Sequence, residues 1–203
     1  MNLNILHLGR AVEAAFEKPS LLIAFVLILL PSLVSIAGRT LYAAQIDLSG
    51  ALYGIVLAYV SFFVLALVIF FLAWLVNRQA TKGRFVAFFC ALSLIKVASL
   101  VIVLISFLTM PLYLSEGAME VALQAGKSSS PEMAAMQLSD FVAANPEAVN
   151  LAVLVVLLAI TFIVSLWAVY LIYKSIKKLA QTGRLAAIAL TVIALIIVGL
   201  LPI

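Results

Sequence analysis

Apolar residues in this chain do not alternate with polar ones; they run together. Five runs stand out, at about 20–37, 51–76, 85–114, 147–173 and 185–201. At about 1.5 Å of rise per residue, each is long enough to cross about 30 Å of hydrocarbon as a helix, or nearly so. The pattern predicts an all-α integral membrane protein, a five-transmembrane-helix bundle. The central run, Phe85 to Leu114, carries a single charge, Lys96. Pro31 inside the first run predicts a kink, and Pro111 near the end of the third helps to stop it. Tyr53, Tyr59 and Trp74 in the second run, and Trp167 and Tyr170 in the fourth, fall where aromatic side chains anchor a span at the membrane–water boundary.

The segments between the runs have patterns of their own. Residues 1–19 form an amphipathic segment, with Ile5, Leu8, Val12, Ala15 and Phe16 on one face of a helix over 3–18. This predicts an interfacial helix lying on the membrane up to Pro19, against the alternative of a frayed polar terminus. Ser35-Ile36-Ala37 resembles a signal-peptidase site, but the long, acid-containing region before it favours an uncleaved anchor. Arg39 to Gly50 reads as a short polar connection. Asn77 to Arg84 reads as a tight basic hairpin, and Lys174 to Lys178, closed by Gly183-Arg184, as a second. Residues 115–145 form the one extended polar stretch. Lys127 to Ser130 reads as a flexible link there, and Ser130-Pro131-Glu132 opens a short helix in the 115–146 outer loop, with Ala134, Leu138, Phe141 and Val142 on its apolar side. Asn145-Pro146-Glu147 repeats that signal before the fourth span.

Composition narrows the class. Of 203 residues, 67% are hydrophobic and 10% charged, where a soluble domain needs about 25% charged. The net charge of +4 is dispersed between apolar runs, which suits contacts to the lipid bilayer and its anionic lipids and not nucleic acid. Cys90 and His7 are the only residues of their types, so neither a disulfide framework nor a Cys or His metal cluster is expected, and no cofactor is implied. Charge also sets orientation. Arg10, Lys18, Arg78, Lys82, Arg84, Lys174, Lys177, Lys178 and Arg184 fall on one side of five crossings; Arg39 and Lys127 fall on the other. By the positive-inside rule the N-terminus is inside and the C-terminus outside. The outer segments hold Asp47, Glu116, Glu120, Glu132, Asp140 and Glu147.

The layout resembles the Yip domain, a five-span membrane domain named for interactions with Rab-type GTPases. The features that carry the resemblance are Glu17-Lys18-Pro19-Ser20 before a kinked first span, basic hairpins after the second and fourth spans, and Leu166-Trp167-Ala168-Val169-Tyr170 in the fourth. The long N-terminal region and the Asp-Leu-Tyr-Gly-Pro stretch of eukaryotic members are lacking, so a prokaryotic member of unassigned role is the closer match. Thr81-Lys82-Gly83-Arg84 and Thr182-Gly183-Arg184 also echo one another, as a parallel repeat or as convergence on Gly-Arg at a turn.

Chemistry is sparse. Lys96 lies about 18 Å along a helix from Arg84, with Ser93 and Ser99 on its face and no carboxylate in the interior of any span. It either snorkels to the headgroups or holds an anion or lipid headgroup. Tyr59, Ser61, Thr161, Ser165 and Tyr170 are read as interhelical glue, and Cys90 as a small buried hydrophobe. No nucleophile–base set, carboxylate pair or phosphate-binding glycine loop is present, so an enzyme is not expected. The expectation is a non-enzymatic multi-pass membrane protein of the Yip-domain type. It would organise membrane, act in a trafficking-like way or serve as an adaptor through the cytoplasmic basic face, and would lie in the cell membrane if prokaryotic. A protein partner at that face and a homo-oligomer both remain open. The alternative is a small transporter or channel built on Lys96.

Overall fold

The computed structural model describes residues 5–43, 48–125 and 131–200. Asp47, Lys127 and the Ser130 cap lie outside the described residues, as do the side chains of Ile5, Leu8, Arg39, Ala134 and Leu138. Among the described residues the chain is α-helical without strands. Four segments are long and apolar enough to span a membrane. They are α2 (Leu21–Ala43), α3 (Leu48–Val76), the pair α5 (Phe85–Ser93) and α6 (Ile95–Tyr113), and α9 (Leu151–Ala180). A shorter apolar helix, α10 (Arg184–Leu200), follows. Leu22, Phe71, Leu108, Phe162 and Leu185 are each more than half exposed. Apolar exposure over whole helix faces is untenable in water and natural in lipid. The fold therefore defines a class, an integral membrane helical bundle.

Ring packing and small residues hold the bundle together. On α5, Phe85, Phe88 and Phe89 fall at helical neighbour spacing and meet the aromatic side of α3. Phe70 packs edge-on against Phe85 at 5.1 Å and 90°, and Phe62 against Phe89 at 5.3 Å and 75°. Such offset geometries are worth about 0.5–1.5 kcal/mol per pair beyond area burial. Ala66 and Ala73, both fully buried, let α3 pack closely between these rings. Cys90 is buried in this cluster, as expected of a small hydrophobe. On the other side of α2, Gly38 lies under the ring of Phe107 on α6. A Cβ built on it would stand 2.5 Å from that ring, so only glycine permits the approach.

Several boundaries differ from the expectation. The first apolar helix, α2, continues to Ala43, through residues assigned to a polar connection, and α3 already starts at Leu48. The fourth helix starts at Leu151, capped by the Asn150 side chain accepting from Val153 N–H at 3.3 Å. Asn145-Pro146-Glu147 instead leads a 3-10 turn. That helix runs on to Ala180, so Lys174, Lys177 and Lys178 are helical and the true turn is Gln181 to Gly183. The 115–146 loop holds two helices where one was expected, α7 (Glu116–Ala125) and α8 (Pro131–Ala144), packed on each other. The base of that loop is clipped shut. Ser115 N–H donates to Ala148 O at 2.8 Å and Asn150 N–H to Tyr113 O at 2.8 Å.

The third span is also interrupted, at Leu94. Ser93 Oγ donates to Cys90 O at 2.8 Å, taking the carbonyl that Leu94 N–H would reach in a regular helix. Leu94 N–H turns instead to Ala91 O at 3.3 Å, and Val97 N–H to Leu94 O at 3.1 Å. A serine hydroxyl competing for a backbone acceptor is a known cause of such a break. It explains a mid-span interruption that has neither proline nor glycine.

Candidate functional site

The polar end of the bundle is assembled from three pieces of chain far apart in sequence. The first is α1 (Ile5–Glu17), packed on α5 and α9. Val12 and Phe16 on its apolar side are buried, and Arg10, Glu13 and Glu17 are exposed. The second is the turn after α3, which contains a single helical turn, α4 (Arg78–Thr81). The third is the α9–α10 turn.

Asn77 joins the second piece to the third. Its Oδ1 accepts from Ala80 N–H at 3.1 Å, capping α4, while its Nδ2 donates to Ala180 O at 2.9 Å. One side chain thus caps one helix start and satisfies an end carbonyl of another 103 residues away. Arg84 draws in the first piece. Its guanidinium lies 5.2 Å from the Phe16 ring centre, and Nη1 donates to Ala80 O at 3.5 Å and Lys178 O at 3.4 Å. A cation against the last carbonyls of α9 also suits the negative end of that helix dipole. Thr81, fully buried, donates its hydroxyl to Asn77 O at 3.0 Å or Arg78 O at 3.1 Å.

An open cavity of about 510 Å³ lies in this assembly, lined by Asn77, Gln79, Ala80, Lys82, Arg84 and Gln181. Two cations and three carboxamides surround it, with no acid in the lining. Of the nine expected basic residues, Lys82 and Arg84 line it. Arg10, Lys18, Arg78, Lys178 and Arg184 are exposed around the same end, and Lys174 and Lys177 are half-buried on the last turns of α9. Among the described residues none of the nine forms an ion pair. Arg78 stands 5.1 Å over Trp74 and Lys174 5.9 Å over Tyr170. Cations stacked on a girdle of Trp and Tyr mark this end as a membrane–water boundary.

Lys96 is elsewhere, in the first turn of α6. It is half-buried, with Nζ 5.5 Å from the ring centre of Phe62 and no carboxylate paired to it among the described residues. Ser93 is fully buried and its hydroxyl is committed to Cys90 O, so the expected stripe of Ser93, Lys96 and Ser99 is split by the break at Leu94. Of the expected interhelical hydroxyls only Tyr59 bridges helices among the described residues, donating to Phe25 O at 2.7 Å. Ser165 bonds back within its own helix to Thr161 O at 2.8 Å, a local acceptor always within reach.

The two Gly-Arg turns are not copies in backbone. Gly83 carries φ +71°, whereas at the second turn the left-handed residue is Gln181, at φ 49°. Asn77, Gln79 and Gln181 were not singled out by sequence reasoning. An Asn directly after an apolar run was the signal available for the first. Compared with protein-family models, curated proteins and solved structures, the chain matches none.

Proposed function

We propose that this is a non-enzymatic, five-span membrane protein of the Yip type that organises anionic lipid, and an acidic partner, at its basic end. In this reading the N-terminus and both basic turns face the cytoplasm, α10 is the fifth span, and α1 lies at the inner leaflet with its apolar face on the bundle. The observation that carries it is the convergence of α1 and both turns on one end, where nine cations have no acidic partners among the described residues. Each cation near an anionic leaflet contributes about 1 kcal/mol of attraction. The Yip resemblance adds the layout of spans and hairpins and supplies no residue-level argument.

The test is lipid composition at the protein boundary. Reconstituted in vesicles of phosphatidylglycerol and phosphatidylcholine, the chain should enrich phosphatidylglycerol around itself, as read by spin-labelled lipids. Replacing Arg10, Lys18, Arg78 and Lys178 with Gln should markedly reduce the enrichment. A boundary layer matching the bulk lipid would refute the reading. The alternative, an anion or headgroup site at Lys96, is favoured by one observation, a half-buried ammonium with only an aromatic face against it.

A further inference from the structure

We propose that the cavity between the two turns is a stoichiometric binding site for one phosphate group, carried by a lipid headgroup or free in solution. The inference rests on the reading of this end as a basic membrane face and gives it a defined ligand position.

Arg84 is held half-buried by its contacts to Phe16, Ala80 O and Lys178 O, all of which engage its ring-facing plane or Nη1. Among the described residues its Nε–H and Nη2 hydrogens have no acceptor. A guanidinium fixed on one side and unspent on the other is prepared for bidentate contact with a planar or tetrahedral oxyanion. Lys82 adds a mobile ammonium to the same lining, and the Gln79 and Gln181 carboxamides add neutral donors. Arg84 is also the residue before α5, whose start has no side-chain cap, so the positive end of that helix dipole adds to the field. The opposing dipole end, at α9, is already neutralised where Asn77 and Arg84 occupy the Ala180 and Lys178 carbonyls. The site is a shallow, open depression of about 510 Å³, reachable by a headgroup from the membrane surface, and the turn that forms it sits at the aromatic girdle, where headgroups lie.

The full chain in neutral detergent micelles, titrated with dioctanoyl phosphatidic acid and read by native mass spectrometry, tests this. One saturable lipid per chain is expected. Lys82→Glu and Gln79→Glu, both at exposed positions, should weaken it about tenfold or more, as loss of a charge-assisted contact does. Gln137→Glu, exposed on α8 and away from the basic end, should leave it unchanged. Inorganic phosphate displacing the lipid identifies a site for the free anion; failure to displace it identifies a headgroup site. Non-saturable binding, or equal weakening by Gln137→Glu and Lys82→Glu, overturns the proposal. Anionic-lipid enrichment without a stoichiometric site sinks the cavity alone, whereas absent enrichment sinks the membrane-face reading as well.

Discussion

Removing the Asn77 side chain should loosen the whole polar end, because that side chain makes two unrelated bonds. Asn77→Ala loses the cap on Ala80 N–H and the donation to Ala180 O, at 3.1 and 2.9 Å. Loss of an N-cap costs about 1 kcal/mol, and loss of one net hydrogen bond costs about 1 kcal/mol more. The expected destabilisation is about 2 kcal/mol for Asn77→Ala. Asn77→Ser separates the contributions: a serine hydroxyl can still cap α4 but is too short to reach Ala180, so about 1 kcal/mol is expected. Thermal unfolding of the purified protein in detergent measures both. Spin labels at Gln79 and Gly183, in a Cys90→Ala background, supply a local readout. The distance distribution across the turns should broaden in both variants. If Asn77→Ser matches the parent in melting and in distance width, the two turns are not joined as described.

Two further substitutions test the packing. Gly38→Ala places a methyl 2.5 Å from the Phe107 ring and should cost about 1–3 kcal/mol, the range for overpacking; Phe107→Leu in the same chain should recover much of it, and additive losses in this double-mutant cycle would contradict the contact. Lys96→Met should raise stability by about 1–2 kcal/mol, because the cost of a half-buried cation on a membrane span, about 2.5 kcal/mol towards the bilayer centre, exceeds what the Phe62 ring returns. An unchanged melting curve for that variant would show that the ammonium already reaches water.

What the sequence made legible follows from which forces act locally. Long apolar runs reveal spans because the bilayer demands them, and four are found where the hydropathy placed them, with shifted ends. The ends moved because helices continue past the apolar stretch when polar residues are themselves good helix formers. Lys174, Lys177 and Lys178 are such residues and lie on α9. The α7 helix escaped notice because its ten residues are too few for a span, although Ala118 on it is fully buried. The break at Leu94 could not be read from proline or glycine; it arises from where one serine hydroxyl finds its acceptor. The basic residues of the candidate site were evident as charges. Their grouping into a cavity depended on Asn77 reaching a carbonyl 103 residues away, a long-range bond that no local pattern encodes.

Orientation tests the account most directly. In a Cys90→Ala background, single cysteines at Gln79, on the turn that lines the cavity, and at Asp140, exposed on α8, are treated in intact cells with a membrane-impermeant maleimide. The account predicts labelling at Asp140→Cys from outside and at Gln79→Cys only after the membrane is opened. Labelling of Gln79→Cys from outside, with Asp140→Cys protected, would place the basic end on the wrong side of the membrane and contradict it.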